Sequence, residues 1–293
     1  MSATVRIARR QRAMNFSRMV LSLLGWVAGL AAVAPVVAQE VAIPNLWDPR
    51  ARQERPDLSG LRTVRFLTDD DFPPLHFVGP DGAPTGFSVE LARAACERLG
   101  ITCTIQARRF DTLADALSEA RGDVIAAAMP ITPALRRRFS VTLPYFRFPA
   151  RFAARGDKGQ PEPNPRALDG RTVAVVQGTA HEAYLKAFFA RATVRGFDDL
   201  IAAEGAVRRG EADYVFGDGL GLSLWLGGTD AAGCCGFIGG PYIESRFFGE
   251  GIGFIVRKDD ELLRRAFDHA LQRLWDEGKY AELYLRFFPV SPF

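Results

Sequence analysis

Acidic and aromatic side chains follow the first predicted strand of the chain. Residues 69–71 are three consecutive aspartates, and Phe72 and two prolines come directly after them. Three carboxylates in a loop could bind a metal cation or the cationic group of an organic molecule, and Phe72 offers a ring face for stacking. A solvated acidic turn without any ligand is the alternative interpretation. Asp218 lies just after the end of another predicted strand and could act in the same way.

A second group of polar residues follows a later strand. Gly178 and Thr179 lead into a helix that begins near Ala180, and Thr179 and Glu182 have the T-x-x-E spacing of a capping box. A helix N-terminus at the carboxyl edge of a parallel sheet can bind anions and polar ligands. Helix capping alone would explain the same pattern, so both interpretations stay open.

The cysteines and histidines offer little for a metal site. The three histidines, at 76, 181 and 269, are not near a cysteine pair or at the spacing of ligands on one helix, so no metal site is expected. Cys96 and Cys103 are seven residues apart, and a disulfide between them would stabilise the fold by about 2.5 kcal/mol. The adjacent Cys234 and Cys235 could form a vicinal disulfide or remain free thiols. Common hydrolase and nucleotide-binding motifs are absent, and no cofactor is expected.

The positive charge is concentrated at the amino end. Residues 1–38 contain five arginines and no acidic residue, and an apolar stretch from Met19 to about Val37 ends next to Ala38. This pattern predicts a secretory signal peptide cleaved after Ala38, with a retained membrane anchor as the alternative. Removing those five arginines changes the formal net charge from +3 to −2. Because no basic run with interleaved aromatic residues remains, a nucleic-acid partner is not expected.

The remaining chain alternates strands and helices, which is typical of an α/β fold with mainly parallel sheets flanked by helices. The predicted strands are Thr63–Leu67, Thr102–Gln106, Val124–Met129, Thr172–Val176 and Asp213–Phe216. The predicted helices are 88–99 with Ser88 as N-cap and Gly100 as the stop, Thr112–Ala120, one from Ala180, one near 199–209, 260–277 and a last one containing Tyr280. Residues 39–60 form an extended lead-in in which Trp47 packs on the body, and the glycines at 249–253 suit a hinge.

The order of these motifs resembles family 3 of the substrate-binding proteins of bacterial ABC importers, the periplasmic amino-acid binders. The resemblance covers about Thr63 to Phe288. It is carried by Thr68-Asp69 with Phe72-Pro73-Pro74, by Gly86-Phe87-Ser88, by Met129-Pro130-Ile131-Thr132-Pro133, by Pro144-Tyr145, by Gln177-Gly178-Thr179 and by Trp275 to Phe288.

The resemblance implies a two-lobe periplasmic binding protein fold of type II, in which each lobe is a mainly parallel sheet flanked by helices and two strands form the hinge. Lobe 1 would comprise residues 61–147 and 251–293, and lobe 2 residues 148–250. Some members of the family also carry a disulfide at the spacing of Cys96 and Cys103, which favours that pair here.

The implied function is the capture of a small polar, amino-acid-like organic solute between the lobes, without catalysis, for delivery to an inner-membrane ABC permease. The protein would be periplasmic and monomeric. The candidate ligand-binding residues are Asp69, Phe72, Met129, Arg136, Gly178, Thr179 and Asp218. One departure matters: Leu135 stands where amino-acid binders place a carboxylate-binding arginine. Either the neighbouring Arg136 replaces it, or the ligand is not an ordinary α-amino acid.

Two other functions are compatible with this resemblance. The chain could be a sensory module or an accessory protein whose partner is a periplasmic quinoprotein alcohol dehydrogenase. It could also be a periplasmic dehydratase of the same fold, with His181, Glu182 or Asp218 as general acid or base.

Overall fold

Two five-stranded sheets flanked by helices make up most of the structure. The computed structural model describes residues 41–48, 50, 53–60 and 63–293, and Val41–Phe293 form one compact unit. The predicted signal peptide, residues 1–38, lies outside the described residues, as do parts of the predicted lead-in. No helix within the described ranges is long and apolar enough to cross a membrane.

The strands and helices are numbered here in chain order. The strands are β1 (Thr63–Thr68), β2 (Asp71–Phe72), β3 (His76–Val78), β4 (Pro84–Thr85), β5 (Thr102–Ala107), β6 (Val124–Ile125), β7 (Phe139–Val141), β8 (Ala150–Arg155), β9 (Thr172–Val176), β10 (Thr193–Phe197), β11 (Tyr214–Asp218), β12 (Cys235–Tyr242) and β13 (Ile255–Arg257). The α-helices are α1 (Phe87–Leu99), α2 (Leu113–Ser118), α3 (Pro133–Arg138), α4 (Ala180–Phe188), α5 (Leu200–Arg209), α6 (Gly219–Gly227), α7 (Ser245–Phe248), α8 (Glu261–Asp276) and α9 (Lys279–Phe287). Short 3₁₀-helices cover Phe110–Thr112 and Gly156–Lys158.

The first sheet has the strand order β5-β1-β6-β13-β7. Strand β1 is parallel to β5 and β6, as expected for strands connected by helices. Strand β13 is antiparallel to β6 and β7 because it enters this sheet from the second one rather than through a helical crossover. The sheet is therefore mixed, with a parallel half that contains the predicted strands.

The second sheet has the order β10-β9-β11-β8-β12. Strands β9, β10 and β11 are parallel, whereas β8 pairs antiparallel with both β11 and β12. The parallel strands bring the residues that follow β9 and β11 to one edge of this sheet. A small three-stranded sheet, β2-β3-β4, lies next to α1.

The two chain segments that cross between the sheets pair with each other. Ile252 forms an antiparallel bridge with Phe146, and its amide donates a hydrogen bond to the Phe146 carbonyl over 2.9 Å. Gly251, next to this bridge, has φ +100°, and a Cβ atom there would lie 2.3 Å from the Phe146 carbonyl oxygen. Only glycine therefore fits at this position in the crossing.

The lead-in packs against the last helices. Trp47 is buried, with its ring 5.3 Å from Trp275 and 5.0 Å from Tyr280. The Ser291 hydroxyl donates to the Ala42 carbonyl over 2.6 Å, and the Gln53 amide donates to Gln272 over 2.7 Å. The lead-in thus shares the hydrophobic core of the first sheet.

All four cysteines are in disulfides. Cys96 at the end of α1 is joined to Cys103 in β5, which links a helix to the strand that follows it. Cys234 and Cys235 are joined as a vicinal pair at the start of β12. The sequence left open whether Cys234 and Cys235 are free thiols or a vicinal disulfide, and in the structure they form the disulfide.

Several predicted boundaries were wrong. The helix predicted over Thr112–Ala120 covers Leu113–Ser118, and the strand predicted over Asp213–Phe216 covers Tyr214–Asp218. The helix predicted from Ser88 begins at Phe87, and its N-cap is Gly86 instead of Ser88. Position 86 requires glycine, since its φ is +117° and a Cβ there would lie 2.5 Å from the Leu75 carbonyl oxygen. The strand predicted over Val124–Met129 ends at Ile125. Beyond it, the Ala128 amide donates to a histidine ring instead of a neighbouring strand.

Candidate functional site

A cavity of about 650 Å³ lies beside the carboxyl ends of β1 and β5. Its volume is typical of a site for a small organic ligand. The lining residues are Asp69, Asp70, Asp71, Phe72, His76, Arg108, Arg109, Phe110, Asp111 and Ala128. Residues that follow two neighbouring parallel strands therefore form most of the wall.

Asp69 is the most buried carboxylate of the cavity, with 7% of its surface exposed. Burial raises its pKa to about 6, and the negative charges of Asp70 and Asp71 act in the same direction. Its Oδ1 atom is buried and has no hydrogen-bond donor among the described residues. A cationic group in the cavity would supply the missing donor and the opposite charge.

His76 connects Asp69 to the rest of the cavity wall. The ring is fully buried, and its Nε2 atom accepts a hydrogen bond from the Ala128 amide over 2.9 Å. Because Nε2 is an acceptor, the proton of the neutral ring is on Nδ1, which lies 3.2 Å from Oδ1 of Asp69 without the alignment of a hydrogen bond. Burial lowers the pKa of His76 to about 4, so the ring is neutral at physiological pH.

Two phenylalanines give the cavity aromatic faces. Phe72 is 40% exposed and Phe110 is 45% exposed, so both offer ring surface to the cavity. The Phe72 ring stacks on His76 at 5.7 Å and contacts the edge of Phe148 at 6.4 Å. Exposed ring faces next to carboxylates are suited to an amine or guanidinium group through cation–π contact.

The two arginines of the cavity differ in their partners. Arg109 binds Asp111 through two hydrogen bonds of 3.2 and 2.5 Å. The Arg108 amide donates to the Thr68 carbonyl over 2.8 Å, which fixes its backbone. Its guanidinium has no ion pair or hydrogen bond with any described residue, although its Nε atom is buried.

The other two predicted binding residues near the first sheet do not line this cavity. Met129 packs against the hydrophobic cluster below α2, together with Leu135. Arg136 forms an ion pair with Glu250, with 2.5 Å between its Nη2 atom and Oε2 of the glutamate, and its side chain is 45% exposed. The role of Arg136 in binding a ligand stays a prediction.

Gly178 and Thr179 follow β9 and Asp218 ends β11 in the second sheet, and these three residues do not line this cavity. Thr179 accepts a hydrogen bond from the Glu182 amide over 3.3 Å, and the Glu182 carboxylate accepts one from the Gly178 amide over 2.9 Å. The first is the bond that the capping interpretation predicts, whereas the second comes from the residue before the N-cap instead of from the Thr179 amide. Asp218 caps α6 with Oδ2, whereas its Oδ1 atom is buried without a donor among the described residues, and burial raises its pKa.

The groups considered as general acids or bases have structural partners. Glu182 also binds Lys186 over 2.6 Å, and this contact lowers the pKa of the glutamate. His181 stacks on Phe248 at 5.2 Å, and burial lowers its pKa to about 4. Within the described ranges, no group of three or more histidine, cysteine, aspartate or glutamate side chains could hold a metal ion.

The sequence interpretation missed His76 and the four residues 108–111. Residues 108–111 follow the predicted strand Thr102–Gln106, so the strand-end argument that selected Asp69 would also have selected them. His76 carried no such signal, because its contacts depend on the turn between β2 and β3.

Known proteins match the chain over most of its length. The sequence model of the bacterial extracellular solute-binding proteins, family 3, matches residues 64–290. The L-arginine-binding protein of Pseudomonas aeruginosa is 30% identical over 236 residues, which cover 80% of this chain and 90% of that protein. The ABC transporter arginine-binding protein 1 of Escherichia coli K12 is 26% identical over 231 residues, covering 79% of this chain and 93% of that protein.

The solved structures agree at the level of the fold. The L-cystine solute receptor of Neisseria gonorrhoeae superposes with a TM-score of 0.71 at 23% identity, over 80% of this chain and 96% of that one. The two sheets flanked by helices are therefore the two lobes of a periplasmic binding protein, as the sequence predicted. With a family match over most of its length and a ligand-sized polar cavity, the chain belongs to the bacterial extracellular solute-binding proteins, family 3, and is a binding protein for a small polar solute.

Proposed function

We propose that this protein is a periplasmic receptor for a small organic cation of the basic amino-acid type, which it delivers to an ABC importer. The observation that carries the proposal is Asp69, a carboxylate with 7% of its surface exposed that lines a cavity with two exposed phenylalanines and has no lysine or arginine partner among the described residues. An ammonium or guanidinium group would bind the carboxylate and stack on the rings.

The charges of the cavity favour a cation over an anion. Four aspartates line it against two arginines, and Arg109 and Asp111 neutralise each other. Asp69, Asp70 and Asp71 then outnumber the single remaining positive charge of Arg108. The curated relatives named after arginine point to the same class of ligand.

The remaining parts of the proposal concern the whole receptor. Residues 1–38 would direct export and be removed, and the mature protein would act as a monomer with an inner-membrane permease as its partner. Lobe 1, residues 61–147 and 251–293, would supply Asp69, Phe72, Met129 and Arg136. Lobe 2, residues 148–250, would supply Gly178, Thr179 and Asp218 when the lobes close on the ligand.

Isothermal titration calorimetry tests the proposed ligand class. The mature protein is titrated with L-arginine, L-lysine and L-ornithine, with neutral L-citrulline and with acidic L-glutamate. We expect saturable binding of at least one basic amino acid, weaker binding of citrulline and no binding of glutamate. Absence of binding by all three basic amino acids, or equal binding of glutamate, would contradict the proposal.

The substitution Asp69→Asn tests the residue that carries it. Loss of the charge should weaken binding of the basic amino acid by about tenfold or more, as expected for a charge-assisted hydrogen bond. Asp259→Asn is the matched control, since Asp259 is exposed and remote from the cavity lining. Equal effects of the two substitutions would show that Asp69 does not bind the ligand.

A further inference from the structure

The guanidinium of Arg108 lines the cavity without an ion-pair partner among the described residues. Arg109 is bound by Asp111, and Arg136 on the nearby helix α3 is bound by Glu250. Arg108 lines the cavity, yet no described carboxylate forms an ion pair with it, and its buried Nε atom lacks an acceptor. A buried donor without an acceptor is uncommon and costly, so it calls for a partner from outside the chain.

The sheet register places Arg108 directly beside Asp69. Thr68 at the end of β1 pairs with Ala107 at the end of β5, so Asp69 and Arg108 are the next residues on two adjacent strands. Neighbouring strands are about 4.8 Å apart. The fold thus places the backbones of an aspartate and an arginine next to each other at one edge of the sheet, and both side chains line the cavity without an ion pair between them.

We propose that Arg108 binds the carboxylate of a zwitterionic ligand whose cationic group lies against Asp69 and Phe72. This inference rests on the proposed capture of a basic solute and specifies its class: an amino acid rather than a simple amine. A guanidinium can donate two parallel hydrogen bonds to a carboxylate, which fixes the orientation of the ligand. Arg108, the residue after β5, then performs the role for which position 135, occupied by a half-buried leucine, has no suitable side chain.

Pairs of ligands that differ only in the carboxylate test this assignment. The wild-type protein is titrated with L-arginine and agmatine, L-lysine and cadaverine, and L-ornithine and putrescine. We expect the amino acid that binds best to bind at least about tenfold more tightly than its decarboxylated amine. Equal or tighter binding of the amine would overturn the role of Arg108 and leave the capture of a cation intact, whereas no binding of any of the six would overturn both proposals.

The substitution Arg108→Gln identifies the residue responsible. It should weaken binding of the preferred amino acid by about tenfold to 100-fold and change binding of the matching amine by less than about threefold. Arg108→Lys, which keeps the charge but cannot form the bidentate contact, should recover part of the loss.

Arg109→Gln is the matched control for Arg108→Gln. It removes the same charge from the same cavity, but Arg109 is already paired with Asp111. We expect it to change the affinities for the amino acid and for the amine by the same factor. Circular dichroism and thermal unfolding establish that each variant is folded, and Arg108→Lys serves if the glutamine variant is not. An Arg108 variant that affects the amino acid and the amine equally would overturn the inference.

Discussion

At the scale of single residues, the cavity depends on how His76 is held. The Nε2 atom of the neutral ring accepts a hydrogen bond from the Ala128 amide, and its Nδ1 atom lies 3.2 Å from Oδ1 of Asp69. The ring also stacks against the Phe72 ring. Three parts of the wall therefore depend on one buried side chain. Because the ring has a pKa of about 4, it contributes no positive charge that would compete with a cationic ligand.

The raised pKa of Asp69 predicts a pH dependence of binding. A cation binds to the carboxylate form, which is dominant above pH 6 and is lost as the pH falls through about 6. The affinity for a basic amino acid should be constant from about pH 7 to 8 and should fall by up to about tenfold per pH unit below 6.

Calorimetric titrations between pH 5 and 8 measure this dependence. His76 stays neutral in that range, so the change is assigned to the carboxylate. The Asp69→Asn variant should bind weakly at every pH, with no step near pH 6. An affinity of the wild-type protein that does not change across the range would contradict the assignment.

At the scale of elements, the ends of β1 and β5 and the crossing between the sheets matter most. The parallel pairing of β1 and β5 brings residues 69–72 and 108–111 to one edge. The crossing, where Phe146 and Ile252 pair, connects this sheet to the one that carries Asp218. Any closure of the lobes would change the backbone torsion angles of these two segments.

Gly251→Ala tests how tightly the crossing is built. Its φ of +100° and the 2.3 Å approach of a Cβ to the Phe146 carbonyl predict both backbone strain and a clash. We expect the free energy of unfolding to fall by about 2 kcal/mol or more. Urea-induced unfolding measures the change.

Gly100→Ala is the control for this variant. Gly100 also has a positive φ, +74°, but a Cβ there would meet no atom within 4 Å. Its substitution should cost about 1 kcal/mol from backbone strain alone. Equal losses at the two positions would show that the contact with Phe146 adds nothing.

At the scale of the whole molecule, the segment before the first strand is part of the first lobe. Trp47 fills a space between α8 and α9, and hydrogen bonds from Ser291 and Gln53 hold both ends of the segment. The Trp47 side chain is buried against the last helices and does not line the cavity. The segment therefore stabilises the lobe without contributing to the candidate site.

Trp47→Ala should lower the free energy of unfolding by about 3–5 kcal/mol, as expected for removing a large buried aromatic side chain. Trp47→Phe keeps part of the ring contacts with Trp275 and Tyr280 and should lose less. Chemical unfolding of the two variants distinguishes a packed lead-in from a dispensable one. A loss below about 1 kcal/mol for the alanine variant would contradict the packing.

Local features of the fold were predictable because they depend on neighbouring residues. The strand Thr172–Val176 and the start of the next helix at Ala180 have the predicted bounds, since a β-branched run and a capping box act over a few residues. The end of β6 was not predictable, because the Ala128 amide that leaves the ladder is taken by His76, 52 residues earlier. The same separation explains why His76 was missed as part of the site.

The sequence alone determined the fold class, the family and the four cavity residues 69–72, because ordered motifs and strand ends are readable along the chain. Only the tertiary structure decided which other groups join them. The register of β1 and β5 brings Arg108 beside Asp69, and the ion pair with Glu250 occupies Arg136. Which of the two arginines is left without a partner depends on contacts between residues far apart in the chain, and no local pattern encodes these contacts.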